Sequence, residues 1–218
     1  MKCLFNQPLF ILLILSFPIG RNSKLHAQEI ATVTVGNQEW TAKNLEVTTF
    51  RNGDAIPEAQ SDADWKQAYL EGQPAWCYLY SDPANGLKYG KLYNWFAVND
   101  PRGLAPKGFH IPGKEEWDSL VAFLGGQQVA GKKLKCDDGW PDGGNGTNEV
   151  GFCGLPGGMR HYSGYFSPVT KYGRWWTTTE LEPFYAWQYY LLSTDNAIGW
   201  YSSDYGKGAG MSVRCLRD

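Results

Sequence analysis

The regular runs of this sequence are short, and glycine or proline interrupts nearly every one of them. The chain holds 26 glycines, yet it also holds ten tryptophans, 13 tyrosines and ten phenylalanines. Disordered segments are poor in aromatic residues, so this composition argues against disorder. It predicts ordered loops that aromatic packing holds in place.

The recognisable elements are few. The clearest predicted helix covers residues 114–124, where Trp117, Leu120 and Leu124 recur at helical spacing. A second is predicted for 61–69, capped by Ser61, and residues 89–98 have a mostly helical pattern. Strands are predicted at 31–35, 39–42, 174–178, 186–192, 197–201 and 211–216. Strands before and after short helices, without regular β-α-β alternation, indicate one α+β domain.

The N-terminus has the features of an export signal. Lys2 precedes an apolar run over residues 9–19, and the small residue Ala27 offers a cleavage site. The run is shorter than the roughly 20 residues that cross a bilayer, although an uncleaved membrane anchor is the alternative. We expect residues 1–27 to be removed and 28–218 to form the mature domain. Cys3 precedes the apolar run, so the expected product is not a lipoprotein. It is secreted, periplasmic or on the outer surface of a bacterium, with no membrane span after cleavage.

Removing that leader changes the charge. It takes away three basic residues and no acidic one, which leaves 17 basic against 22 acidic side chains. Nucleic-acid-binding domains carry a basic patch or stripe, so this acidic balance excludes nucleic acid as the expected partner.

Four cysteines remain in the mature chain: Cys77, Cys136, Cys153 and Cys215. An even number in an exported chain favours two disulfides, with three pairings open, and free buried thiols are the alternative. No Cys-x-x-Cys is present, so neither a zinc ribbon nor a thioredoxin-type pair is indicated.

Seven short sequence motifs occur along the chain in the order typical of one family. They are Val35-Gly-Asn-Gln-Glu-Trp-Thr-Ala-Lys-Asn-Leu45, Gly72-Gln-Pro-Ala-Trp-Cys-Tyr78, Tyr89-Gly-Lys-Leu-Tyr-Asn-Trp-Phe-Ala-Val98, Gly108-Phe-His-Ile-Pro112 with Glu116-Trp117, Leu155-Pro-Gly-Gly158, Trp175-Trp-Thr-Thr-Thr-Glu180 and Ser212-Val-Arg-Cys-Leu-Arg-Asp218. Together they resemble the Fibrobacter succinogenes major paralogous domain family over nearly the whole mature chain. The resemblance implies an exported domain of unassigned function.

Two of these motifs, residues 108–112 with Glu116-Trp117 and residues 212–218, also resemble the formylglycine-generating-enzyme/C-type-lectin-like superfamily. That resemblance implies a C-type-lectin-like α+β fold with short helices, a small twisted antiparallel sheet and long ordered loops. The sequence departs from the family at Gly113, which replaces the usual threonine cap of the next helix. Cys136 and Cys153 also replace residues that are usually not cysteine. Their joint appearance supports pairing them with each other, which leaves Cys77–Cys215 as the second bridge.

The enzymes of that superfamily need residues that this chain lacks. Formylglycine-generating enzymes bind copper through a close cysteine pair near the C-terminus, where only Cys215 stands here. The iron-dependent sulfoxide synthases need several histidines, and the mature chain offers His110 and His161 alone. We expect a structural role for His110. For Glu115 and Glu116 we expect first-turn charges of a helix in preference to an acid/base pair. No catalytic residue is predicted.

Two binding features remain. Exposed aromatic rings near polar loop residues can stack on sugars, and the candidates are Trp140, Tyr165, Trp200, Tyr201 and Tyr205. An oxygen-rich loop offers weak calcium candidates, although a solvated turn is the preferred interpretation; they are Asp137, Asp138, Asp142, Asn145, Asn148 and Glu149. No firm metal site and no other cofactor is predicted.

These features favour an exported, non-enzymatic binding module of lectin-like fold, its ligand a glycan or a protein at the cell surface. The alternative is a structural or assembly component of the cell envelope that binds only protein partners. A glycan-active enzyme with an unrecognised carboxylate pair ranks third.

Overall fold

The computed structural model describes residues 29–167, 171–202 and 206–218. The predicted leader therefore lies outside the described residues. The helices are α1 (Asp62–Leu70), α2 (Gly86–Tyr89), α3 (Trp95–Val98), α4 (Lys114–Phe123) and α5 (Gln127–Leu134), and the 3-10 turns Leu79–Ser81 and Pro83–Asn85 precede α2. The strands are β1 (Thr32–Val35), β2 (Gln38–Thr41), β3 (Trp76–Cys77), β4 (Leu92–Tyr93), β5 (Phe109–His110), β6 (Tyr172–Glu182), β7 (Tyr185–Leu192), β8 (Ile198–Ser202) and β9 (Leu216–Arg217).

These strands form small antiparallel sheets, so the fold is α+β, as the sequence predicts. One sheet has the order β1-β2-β9-β5, the next is the pair β3-β4, and the third has the order β6-β7-β8. Leu216 of β9 lies opposite both Trp40 and His110. The first and last strands of the described chain therefore meet in one sheet. The β1–β2 turn is closed by Gly36, whose φ of 64° favours glycine.

At the start of two helices, a carboxylate accepts a hydrogen bond from the backbone amide of the residue that precedes the helix. The Ser61 hydroxyl accepts a hydrogen bond from the Asp64 amide, and the Asp64 carboxylate accepts one from the Ser61 amide. Gly113 has no side chain to cap α4, but the Glu116 carboxylate accepts from the Gly113 amide at 2.8 Å. Glu116 therefore satisfies an N–H at the start of the helix, which is a structural role for this carboxylate.

Residues 89–98 differ from the expected helix. α2 ends at Tyr89, β4 follows, and α3 begins only at Trp95. The break falls at Gly90, where φ is 72° and an added Cβ would lie 2.8 Å from the Asn44 Cβ. Close backbone approach therefore requires a glycine at this position and prevents one continuous helix.

The expected strand over 211–216 is also mostly absent. Of these residues only Leu216 belongs to a strand, β9, while Met211 and Ser212 bridge singly to Tyr93 and Trp175. The segment is almost fully buried and changes partner from residue to residue, so no continuous ladder forms.

The core is divided by β6. Trp175 and Trp176 are adjacent, so their side chains point to opposite faces of the strand. Trp175 packs in a cluster with Trp40, Trp117 and Phe152, and Trp176 packs in another with Tyr93 and Val213. Each of these tryptophans is at most 1% exposed, and truncating one would cost about 3–5 kcal/mol. Trp117, Trp175 and Trp176 are therefore core residues.

The cysteines form one bridge. Cys136 and Cys153 are joined, with their Cα atoms 4.0 Å apart, as expected. The expected Cys77–Cys215 bridge is wrong, because both are free buried thiols. Cys77 packs in a small cluster around Trp65, whereas Cys215 packs with Tyr93 in the cluster of Trp176. Burial raises the pKa of each thiol to about 12, so both stay protonated.

Candidate binding surface

The most exposed tryptophan of the described chain lies on the edge strand β8. The ring of Trp200 is 44% exposed and meets the half-buried Trp187 of β7 with ring centroids 6.0 Å apart and planes at 74°. Trp200 lies opposite Tyr189 in the strand register, so all three rings share one face of the sheet. Tyr189 is buried and stacks on Trp117 of α4, with centroids 4.9 Å apart. The sheet thus continues past the core and leaves two indoles at its rim.

One charged side chain of α4 borders these indoles. The Lys114 Nζ lies 5.4 Å from the ring centroid of Trp187 and 5.9 Å from that of Trp200, within the range of cation–π attraction. Lys114 also pairs with Asp118, one helical turn further on. We call the set Trp187, Trp200, Lys114 and Asp118 the tryptophan corner.

Tyr189 fixes the carboxylate of the corner. Its hydroxyl donates to Asp118 Oδ1 at 2.5 Å and lies 3.2 Å from the Lys114 carbonyl. Burial opposes ionisation of Asp118, but the hydrogen bonds from Lys114 and Tyr189 lower the pKa of this carboxyl below its usual 3.8. Burial, together with the same carboxylate, raises the pKa of Tyr189 well above its ordinary value. At neutral pH the corner therefore presents an ionised carboxylate held by a neutral phenol.

This arrangement suits a ligand with both apolar and hydroxyl-rich faces. An exposed indole offers a flat apolar surface, and an ionised carboxylate has about four lone-pair sites, of which the two described donors leave some free. Pyranose rings carry C–H groups on one face and hydroxyls at the rim. A sugar stacked on Trp200 would place hydroxyls near Lys114.

A model of the Fibrobacter succinogenes major domain matches residues 33–217, which is most of the 218-residue sequence. The chain belongs to the Fibrobacter succinogenes major domain family. No curated protein and no solved structure matches it. The whole tryptophan corner falls inside the span that the family model covers. Across the described ranges of this family member, no helix is both long enough and apolar enough to cross a bilayer.

Of the expected aromatic ligand residues, the four that lie in the described ranges do not form one surface in this family member. Tyr201 is 47% exposed, but it follows Trp200 in the strand and so lies on the other face of the sheet. Trp140 is only 5% exposed and donates its indole N–H to the Gly154 carbonyl, so it cannot offer a ring face to a ligand. Tyr205 lies outside the described residues.

Tyr165 belongs to a separate aromatic group. It is 51% exposed and stacks on His161, with ring centroids 4.4 Å apart. His161 also contacts Tyr162, which in turn contacts Tyr69 of α1. Burial lowers the pKa of His161, so the imidazole is neutral at pH 7. These rings cover one another more than they surround a cleft.

The oxygen-rich loop uses several of its oxygens within the protein. Asn145 and Asn148 accept from the backbone amides of Trp140 and Cys153, each at 2.9 Å. Two of the carboxylates pair with lysines of other segments, Asp142 with Lys171 and Glu149 with Lys133. Asp137 and Asp138 are exposed. Within residues 29–167, 171–202 and 206–218, no group of three or more histidine, cysteine, aspartate or glutamate side chains converges on a metal position.

His110 of β5 contacts two carboxylates. Its Nδ1 lies 2.9 Å from Asp218 Oδ1, and its Nε2 lies 2.9 Å from Glu116 Oε1. Burial opposes the charged form, but these two hydrogen bonds raise the pKa of His110 above 6.5. Because β5 carries His110 and Asp218 directly follows β9, the contact joins α4 to the first sheet. This agrees with the structural role expected for His110.

Sequence reasoning missed three members of the corner. Trp187 alternates with Tyr189 and Leu191, which are buried, and only its position at the sheet rim leaves it half-exposed. Lys114 and Asp118 are four residues apart at the start of the clearest helix, a spacing that places them on one helix face. That spacing could have indicated that Lys114 and Asp118 act together. No local pattern, however, indicated that β8 would lie beside α4.

Proposed function

We propose that this family member is an exported, non-enzymatic binding module of lectin-like fold that holds a glycan on the tryptophan corner. The observation that carries the proposal is the exposed Trp200 ring beside Lys114, which pairs with the Asp118 carboxylate that Tyr189 holds in place. Sugar sites commonly combine an aromatic platform with a few positioned polar groups. The Cys136–Cys153 bridge supports an oxidising compartment, and the predicted leader supports export.

A binding role fits Asp118 better than a catalytic one. A general acid at neutral pH needs a raised pKa, whereas Lys114 and Tyr189 lower the pKa of this carboxyl. The same contacts hold its oxygens in place, which favours recognition of hydroxyl groups.

The test is glycan binding by a matched pair of variants. The full chain is screened on a glycan array, and its best ligand is titrated by calorimetry against wild type, Trp200→Ala and Tyr201→Ala. The two rings are adjacent and equally exposed but lie on opposite faces, so the tyrosine variant controls for loss of a surface aromatic. Trp200→Ala should weaken binding about tenfold or more, as expected for a central aromatic contact. Tyr201→Ala should leave it unchanged.

Two outcomes would reject the proposal. A blank array together with no fluorescence response to polysaccharides would remove the glycan as ligand. Equal losses in the two variants would show that the site is not the corner.

The second candidate is a structural component of the cell envelope that binds only protein partners. It is favoured by a groove of about 390 Å³ beside Leu70 and Phe184, which are 65% and 68% exposed. Pull-down from envelope extracts separates the candidates, because a lectin elutes with free sugar and an assembly subunit does not.

A further inference from the structure

Arg214 carries a buried positive charge without a carboxylate partner. Its guanidinium is 2% exposed and stacks on Phe152, 4.3 Å from the ring centroid. Nε donates to Asn44 Oδ1 at 2.7 Å, Nη1 to the Thr41 carbonyl at 2.8 Å, and Nη2 to the Cys153 carbonyl at 3.3 Å. All three acceptors are neutral.

The other buried arginine shows the contrast. Arg160 is fully buried, and its Nη2 lies 3.1 Å from Asp62 Oδ1, so a carboxylate neutralises it. None of the ion pairs in the described ranges of the chain includes Arg214. Burial lowers the pKa of Arg214 to about 9, which reflects the same lack of a compensating anion.

Arg214 also retains donors. A guanidinium has five N–H groups, and the hydrogen bonds to the described residues use three of them. The remaining two are on Nη1 and Nη2. A buried cation with unused donors favours an anion beside it.

A small cavity lies at this position. It has a volume of about 170 Å³, and Arg214 and Cys153 form part of its wall. Lys43 and Lys88 line it as well, and both are exposed. The charged residues that line it are therefore three cations and one carboxylate, Glu46. A share of about 30 Å³ per water gives room for roughly five waters, or for one compact oxyanion with water.

We propose that this cavity, which we call the Arg214 pocket, binds a compact oxyanion, either a carboxylate or a sulfate or phosphate group. The buried guanidinium provides the planar fork that suits such oxygens, and Lys43 and Lys88 provide charge at the entrance. The pocket shares no residue with the tryptophan corner, so the inference is independent of glycan binding there.

The test is titration of the full chain with sodium sulfate, sodium phosphate and sodium acetate at constant ionic strength set with sodium chloride. The readout is the NMR resonance of the Arg214 Nε–H. A saturable shift is expected with at least one of the three anions, and the strongest of the three identifies the preferred group.

The matched variants are Lys43→Ala/Lys88→Ala and Lys66→Ala/Lys107→Ala. All four lysines are exposed, but only the first two line the pocket, so both double variants remove the same net charge. The first should raise the anion Kd at least about fivefold, since exposed charges act through screened attraction. The second should leave the Kd unchanged. A linear, unsaturable shift with all three anions would overturn the proposal, and so would equal losses in the two double variants.

Discussion

Replacing the buried Asn44 by alanine should strongly destabilise the domain. The Asn44 side chain makes four hydrogen bonds. Its Oδ1 accepts from Arg214 Nε at 2.7 Å and from Trp175 Nε1 at 2.9 Å, and its Nδ2 donates to the Tyr89 carbonyl at 2.8 Å and to Ser212 Oγ at 3.2 Å. One amide thus joins the first family motif to three later ones.

The magnitude follows from the donors that are left behind. Trp175 and Arg214 are at most 2% exposed, so both N–H groups would lose their acceptor in the interior. A buried donor without a partner costs about 1–3 kcal/mol, and one on a charged group lies at the upper end. We therefore expect Asn44→Ala to lower the free energy of unfolding by about 4 kcal/mol, a large fraction of the roughly 5–15 kcal/mol that holds a domain together.

The measurement is equilibrium unfolding in urea, followed by tryptophan fluorescence with the disulfide intact. Asn196→Ala is the matched control, because Asn196 is exposed and should change stability by no more than about 0.5 kcal/mol. Asn44→Asp should lose less than Asn44→Ala, because it keeps an acceptor for both donors and lacks only the amide N–H groups. A loss below about 1 kcal/mol for Asn44→Ala would refute the argument that this amide satisfies the buried cation.

The remaining predictions concern cysteine chemistry and pH. Replacing Cys136 and Cys153 together by serine opens a bridge with a sequence separation of 17, which should cost about 3 kcal/mol in urea unfolding; an unchanged midpoint would contradict this. Cys77 and Cys215 should resist Ellman's reagent in the native protein and both react in guanidinium, whereas no reaction after unfolding would indicate a second bridge. The stabilisation that His110 adds to the free energy of unfolding should be complete below about pH 6.5. It should be lost as the pH rises through the raised pKa that His110 has in the folded protein. His110→Gln should flatten that part of the stability–pH curve, and an unaltered curve would exclude the linkage.

Side-chain spacing and helix caps in the sequence predicted the helices and strands that depend on neighbouring residues. The Ser61 cap, the 114–124 helix and the strands of the third sheet all follow from side-chain spacing and caps. The failures lie where distant segments decide. Gly90 ends α2 because Asn44 lies against it, and Cys215 joins the cluster of Trp176 rather than that of Cys77.

The candidate site also combines features that the sequence predicts with features that only tertiary packing decides. Trp200 and Tyr201 were both predicted as exposed rings, because glycine and serine flank them. Their separation onto two faces follows from strand alternation, which the sequence already contains. The proximity of Lys114 to Trp200 comes from the docking of α4 on the third sheet, and no local pattern encodes that contact.

Buried cationic side chains supply hydrogen-bond donors to main-chain carbonyls in a chain with little regular structure. Arg160, Arg214 and Lys135 are each at most 2% exposed, and each donates to at least one main-chain carbonyl that is far away in the sequence. The acceptors are the carbonyls of Ala59 and Gly164 for Arg160, of Thr41 and Cys153 for Arg214, and of Leu192 and Asp195 for Lys135. Thr41 and Leu192 are the last residues of strands, and the other four acceptors lie in loops, where donors other than the backbone N–H groups of a sheet or helix must bond to the carbonyls. Because a long cationic side chain reaches several carbonyls at once, it can fix loops to one another without a strand between them. The desolvation cost of each buried cation limits the stability that these hydrogen bonds add. Arg214 has no carboxylate partner, so an anion in the Arg214 pocket would offset its desolvation cost.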